Sequence, residues 1–260
     1  MMCHITTALV TGATSGIGRE FVNQLGSRGS HLILVARDGD RLEQVAEEVR
    51  TAYGVHVDVL PADLADRADL QRVADRLADP EHPIDILVNS AGYGLGRPYL
   101  GNEIAEEEQL LDVLCRAVLV LSHAAARAMR TRDHGRIINV SSVAGFLAGS
   151  TYSAAKAYVT VLTESLAGSL ADTQVKATVV CPGFVHTEFH ERAELDRDRL
   201  PEFAWLTTRQ VVRRALADSD AGRVVSVPSW RYKGVVGLLK VTPRALARSS
   251  VVVNRHRKAC

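Results

Sequence analysis

The chain has 260 residues, a formal charge of +1 and 47% hydrophobic residues, enough to bury a sizeable core in one large α/β domain or two small ones. That charge balance gives no drive toward nucleic acid, and its four cysteines, Cys3, Cys115, Cys181 and Cys260, stand far apart with no CxxC pair, which fits a reducing cytosol and argues against a secreted disulfide scaffold. The first eleven residues lack a basic segment followed by a long apolar run, and no stretch reads as the roughly 18 apolar residues of a spanning helix, so a soluble, cytoplasmic protein is expected.

Short apolar, β-branched runs at 5–11, 31–36, 55–60, 85–89, 136–141, 175–181 and 223–227 predict strands. Helix-period segments lie between them at 17–27, 40–51, 67–77, 103–131 and 152–171. Continuous apolar strands separated by helices imply a parallel sheet covered on both faces. Right-handed crossovers then give a doubly wound α/β sheet of about seven strands, with a ligand crevice at their carboxyl ends. No internal repeat, low-complexity linker or clear domain boundary interrupts the pattern.

The first strand runs into Thr11-Gly12-Ala13-Thr14-Ser15-Gly16-Ile17-Gly18, a TGxxxGxG pattern at the head of a helix. Glycines there let the backbone turn tightly and approach a pyrophosphate, and the helix offers free N–H groups and a positive dipole end. Farther on, Tyr152 and Lys156 stand four apart, the spacing that puts phenol and ammonium on one helix face. A phenol ionises near pH 10, and lowering that by about 3 units takes about 4 kcal/mol, within reach of a desolvated ammonium and a charged cofactor. Taken alone, the pair also fits a solvated helix face.

Together these motifs resemble the short-chain dehydrogenase/reductase family over about residues 5–228. TGATSGIG is similar to its cofactor loop, and Asn89-Ser90-Ala91-Gly92 to its NNAG motif, with Ser90 replacing the second Asn. Asn139-Val140-Ser141-Ser142 resembles the strand end that carries the catalytic serine, by position Ser142. Tyr152 and Lys156 match YxxxK, and Pro182-Gly183 matches the PG turn. The resemblance implies a single Rossmann-like fold and an oxidoreductase that moves hydride between a nicotinamide cofactor and a carbonyl or alcohol. Tyr152 is then the proton donor, Ser142 orients the substrate oxygen, and Lys156 lowers the tyrosine pKa and holds the nicotinamide ribose. Cofactor contacts implied by position are Gly12, Thr14, Ser15, Gly16, Ile17, Gly18, Arg37, Asp63, Leu64, Asn89, Ala91, Gly92, Pro182, Gly183, Val185 and Thr187, besides Tyr152 and Lys156.

Cofactor choice turns on the end of the second strand, Val35-Ala36-Arg37-Asp38. A guanidinium at that place suits a 2′-phosphate and favours NADP(H), with NAD(H) possible. The competing fate of Arg37 is a helix-start salt bridge with Asp38 or Asp40. Two departures from the family pattern stand out. Leu114 occupies the place of a catalytic Asn in the fourth long helix, and leucine is expected neither to bind a relay water nor to hold the helix distortion associated with that Asn. The stretch from Ser142 to Tyr152 is also a few residues short, which with Phe146 and Leu147 suggests an apolar, open substrate mouth.

After the PG turn come Phe184, His186, Thr187 and Phe189, a charged run, and then Phe203 and Trp205, read as a substrate lid with aromatic anchors. His186 and His190 are four apart with Glu188 and Glu191 nearby, but no third ligand is visible and no metal is expected. Residues 229–260 hold eight Lys or Arg and no acid, interleaved with Trp230, Tyr232 and aliphatic residues. They are read as a basic, apolar helical extension of the domain formed by residues 1–228. It either meets a membrane surface or packs over the substrate site or an oligomer contact. The expected substrate is a lipophilic acyl, steroid-like or aldehyde compound, and a homodimer or homotetramer follows from the resemblance. The alternatives are a catalytically weakened dinucleotide-binding redox sensor and a membrane-surface scaffold.

Overall fold

A computed structural model describes residues 5–187 and 205–241. Its strands β1 (Thr7–Thr11), β2 (His31–Ala36), β3 (Val57–Pro61), β4 (Ile86–Asn89), β5 (Arg136–Val140), β6 (Lys176–Val180) and β7 (Val225–Ser226) form one parallel sheet. Their order is β3-β2-β1-β4-β5-β6-β7. The strands are short apolar runs because both faces are covered: Ala8, Leu9 and Val10 of β1 are all fully buried. The period-2 alternation of side chains sorts them. Ala8, Val10, Leu32 and Leu34 pack with α1 (Gly16–Gly26), α2 (Gly39–Tyr53) and α7 (Thr208–Asp220). Leu9, Ile33, Val35 and Ile137 pack on the other face with α3 (Arg67–Ala78) and α5 (Ala117–Arg132).

The helix expected over 103–131 is in three parts: α4 (Ile104–Leu111), a π turn (Asp112–Arg116) and α5. This corrects the expectation for Leu114, because the distortion is present with leucine at its centre. Leu114 is fully buried and clusters with Leu110, Ala155, Tyr93 and Tyr152, so apolar seating holds the widened turn. Arg116 adds an ion pair to Asp112 at 2.9 Å and a bond to the Ala65 carbonyl at 2.5 Å. The run Ile104–Arg132 is also long and apolar enough to cross a membrane by length and composition, contrary to the sequence reading. Here its apolarity serves the core: Leu121, Ala125 and Met129 of α5 are buried against the sheet.

Helix α7 lies outside the helix-period segments of the sequence, and Thr207 and Gln210 form a reciprocal capping box at its start. At its other end Asp218, 2% exposed, accepts from Arg214, Arg223 and Ser226 and so ties the helix to the two-residue β7. Of the C-terminal extension the described part is one helix, α8 (Trp230–Val241). Its Val236 is buried in a cluster with Val143, Val159 and Val227, and Tyr232 packs against the same cluster. Helix α8 thus packs on the core of the sheet domain. The rest of the tail, and lid residues 188–204 including Phe189, His190 and Phe203, lie outside the described residues.

Candidate active site

The strand order reverses between β1 and β4, where Thr11 pairs with Asn89, the place where an open α/β sheet leaves a crevice. Two loops meet there. Thr11 Oγ1 accepts from the Ser90 and Ala91 amides at 3.1 and 3.2 Å. Gly12 has φ +68°, and a Cβ on it would fall 2.8 Å from Ala91 Cα. A Cβ on Gly18 would fall 2.1 Å from the Gly12 carbonyl oxygen, so that glycine lets α1 start directly against the loop. Ser15 caps α1 without a side-chain bond, leaving first-turn N–H groups open to a ligand. A Cβ on Gly16 would touch the Thr187 methyl at 3.3 Å, which brings the far side of the crevice to the glycine loop. The glycine-lined cradle and open helix terminus fit a pyrophosphate. Gly12, Gly16, Gly18, Ala91 and Thr187 meet at this place. Leu64 and Val185 bury their side chains in hydrophobic clusters, leaving their main chains to a ligand, while Ile17 is only partly buried against the first cluster.

Asn89, expected at the cofactor, has its side-chain amide engaged within the fold. It is buried, and its amide donates to Ser122 at 3.2 Å and to Asn139 at 2.9 Å. Asn139 in turn donates to Thr163. This network joins β4, β5, α5 and α6 (Thr151–Ser169), as buried amides must find partners. The Asn89 side chain therefore serves the frame beneath the crevice.

At the adenosine end, Arg37 is exposed and makes no ion pair among the described residues. Asp38, its expected competitor, instead caps α2 by accepting from the Arg41 amide at 3.0 Å. Asp63 is held by bonds from the Ala65 amide to its carboxylate and from its own amide to Asp69, while Arg116 grips the Ala65 carbonyl. Sequence reasoning missed Tyr93, a half-buried side chain whose hydroxyl is buried without a hydrogen-bond partner. Burial pushes its phenol up, and the Arg37 charge opposes that.

Ser142, Tyr152 and Lys156 converge at the carboxyl end of β5. Ser142 caps a single 3-10 turn (Val143–Phe146), with its Oγ accepting from the Ala144 amide at 3.1 Å. A Cβ on Gly145 would sit 2.9 Å from the Ala157 nitrogen, so this glycine lets the turn lie against α6 beside Lys156. Ser150 caps α6, placing Tyr152 in its first turn and Lys156 one turn on. Tyr152 is hydrogen-bonded to Ser142. The Lys156 Nζ donates to the Val140 carbonyl at 2.8 Å and lies 5.6 Å from the Tyr152 ring centre. Burial pushes the Tyr152 phenol up to about 12, against the lowering effect of Ser142. Burial also pulls the Lys156 ammonium down to about 8. In the protein itself desolvation thus outweighs the lysine's expected depression of the tyrosine. Leu114 lies close by: a Cβ on Gly92 would be 2.7 Å from Leu114 Cδ2 and 3.9 Å from Lys156 Nζ.

On the substrate side, Phe184 and His186 form main-chain bonds with Leu206 at 2.9 and 3.0 Å. Trp205 stacks on His186 at 4.8 Å and tilts against Phe184 at 5.7 Å. Tyr232 of α8 reaches the Pro182-Gly183 turn and accepts from the Phe184 amide at 3.1 Å, another contact that sequence reasoning missed. Its signal was weak: one aromatic in a tail read for its charge.

A family model described as short chain dehydrogenase matches residues 6–198. The chain is 34% identical over 184 residues to the 3-oxoacyl-[acyl-carrier-protein] reductase FabG of Aquifex aeolicus, covering 70% of this chain and 74% of that protein. It is similar in structure to a short-chain dehydrogenase from Sphingobium yanoikuyae solved in complex with NADPH, with TM-score 0.83 and 32% identity over 93% of this chain and 98% of the other. A bulky-bulky ketone specific alcohol dehydrogenase from Comamonas testosteroni gives TM-score 0.79 and 29% identity over 94% and 97% of the two chains.

Proposed function

The chain belongs to the short-chain dehydrogenase/reductase family of oxidoreductases, and from that premise we propose that it is an NADP(H)-dependent carbonyl reductase or alcohol dehydrogenase acting on a lipophilic substrate. The observation that carries this reading is the convergence of Ser142, Tyr152 and Lys156 beside the glycine cradle. A nicotinamide cofactor, when bound, would supply the hydride for carbonyl reduction or take it up in alcohol oxidation. Tyr152 would donate its hydroxyl proton to the substrate oxygen in reduction and, as phenolate, take the alcohol proton in oxidation, while Ser142 would orient that oxygen by a hydrogen bond. Lys156, held in place by the Val140 carbonyl, sets its charge near the phenol and reaches toward the ribose. Gly12, Thr14, Ser15, Gly16, Ile17 and Gly18 would hold the pyrophosphate, Asp63 and Leu64 the adenine, and Ala91 and Gly92 the adjoining ribose. Pro182, Gly183, Val185 and Thr187 would line the nicotinamide end.

The preference for NADP(H) rests on Arg37, whose exposed guanidinium is not engaged by an acid at the head of α2. The NADPH bound to the Sphingobium neighbour points the same way. NADPH is expected to bind at least about tenfold more tightly than NADH, the size of one good charge-assisted contact. Equal or reversed affinities by fluorescence titration would remove the assignment. Half-buried Phe146, Leu147 and Phe184 and the neighbouring Trp205 favour an apolar substrate. A screen of NADPH oxidation across acyl, steroid and aldehyde carbonyls identifies its class. NADPH binding with no turnover on any carbonyl would instead favour the redox-sensor reading, which Leu114 supports.

A second contact, with a membrane surface, is proposed for α8. Trp230 and Leu238 are 78% and 66% exposed, and exposed Arg231 and Lys233 lie on the same helix. Apolar side chains flanked by cations suit the interface of an anionic bilayer.

A further inference from the structure

Gly183 has no left-handed backbone to account for it; the positive-φ glycines among the described residues are Gly12, Gly16, Gly29, Gly54, Gly135 and Gly222. Its missing side chain makes room for Tyr232 instead. A Cβ there would fall 2.0 Å from Tyr232 Cζ and 2.2 Å from Cε2, so the hydroxyl end of the ring fills that space. From this seat the Tyr232 hydroxyl accepts from the Phe184 amide at 3.1 Å. The helix that delivers the ring is anchored: Val236, one turn on, is 5% exposed among Val143, Val179 and Val227. The Pro182 carbonyl accepts from the Val143 amide at 2.9 Å, joining the turn to the segment that follows Ser142.

Residues 184–187 are a bent segment joined to Leu206 by a single bridge at Val185, with main-chain bonds from Leu206 to Phe184 and from His186 to Leu206. Tyr232 supplies the bond to its first amide. We infer that Tyr232 is a positioning residue for the nicotinamide end of the cofactor site, acting through the Phe184 amide to set the orientation of Val185 and Thr187. The inference rests on the cofactor reading above and extends it to α8. One side of α8 thereby becomes part of the active-site scaffold, whatever its outer side meets.

The test compares two ligands on the full chain: NADPH, and 2′-phospho-ADP-ribose, which keeps the adenosine end and lacks nicotinamide. Tyr232→Phe keeps the ring over Gly183 and removes the acceptor. It should weaken NADPH binding about fivefold to tenfold, the scale of one lost hydrogen bond. Binding of 2′-phospho-ADP-ribose should stay within about twofold, because the adenosine end is untouched. Hydrogen exchange of the peptide carrying the Phe184 amide should quicken about tenfold. Gly183→Ala, which displaces the ring while leaving its hydroxyl, should give the same pattern. Equal weakening of both ligands would show a merely structural role and overturn the inference, as would unchanged NADPH affinity. If the unmodified chain bound neither ligand, the cofactor reading would fall and this inference with it. The two failures are therefore distinguishable.

Discussion

A phenol carried up to about 12 by burial keeps its proton throughout the neutral range, so Tyr152 is set to donate. The Lys156 ammonium, pulled down to about 8, loses its charge first. For carbonyl reduction kcat/KM should hold level up to about pH 8 and fall above it as Lys156 deprotonates. A rise across that interval in a pH–rate profile would contradict this. The same group affects stability with a definite sign. Its folded value lies below 10.5, so between about 8 and 10.5 the unfolded chain binds more protons, and stability from this group rises with pH. Relative to a Lys156→Met variant, the protein should therefore gain stability between those limits, measured by urea unfolding at both ends of the window. Tyr152→Phe should leave NADPH affinity within about twofold and cut turnover by about 10²–10⁴-fold, the usual contribution of a positioned proton donor. Comparable loss of both would show that the residue holds structure rather than a proton.

Among the elements, the π turn carries the sharpest lesson. A widened turn in a long helix needs its interior filled, and Leu114 fills it with carbon against Leu110, Ala155 and Tyr152. The distortion therefore survives the loss of the amide associated with it, while the place beside Lys156 becomes apolar. Leu114→Asn should keep the turn and raise turnover by restoring a polar path next to the lysine. It should also lower stability by about 2–3 kcal/mol, because a fully buried leucine is replaced by a smaller polar group. Steady-state kinetics with thermal or urea unfolding separate the two effects. The junction of α7 and β7 depends on one buried acid. Burial by itself would raise Asp218, but Ser226, Arg214 and Arg223 outweigh that and hold it below the usual range. Asp218→Ala should cost about 1–2 kcal/mol, chiefly because the buried Ser226 hydroxyl loses its acceptor, while the partly exposed Arg214 and Arg223 turn to water.

At the scale of the molecule, the extension read from its charge is divided in purpose. Tyr232 and Val236 pack inward on the active-site scaffold, while Trp230 and Leu238 remain exposed. Vesicle co-sedimentation should recover the full chain with anionic but not neutral vesicles, with the bound fraction falling as salt rises. Trp230→Ala should weaken that binding without changing NADPH affinity. Equal behaviour on neutral and anionic vesicles would end the proposal. A homodimer or homotetramer is proposed, with exposed Ile104, Leu119 and Val161 on α4, α5 and α6 as candidate contact residues, and light scattering tests it.

Strand and helix alternation, the TGxxxGxG loop and the YxxxK spacing were legible because each depends on local chemistry. Apolar runs make buried strands, glycines admit a tight turn, and a four-residue spacing joins two side chains on one helix face. Those features determined the doubly wound sheet and the family. Contacts between residues far apart in the chain were not legible. No local pattern says that the Asn89 amide belongs to Asn139, that Leu114 can hold a π turn, or that Gly183 leaves room for Tyr232. Packing decided these, because whether a glycine, an amide or a leucine serves a ligand or the frame depends on what occupies the space beside it.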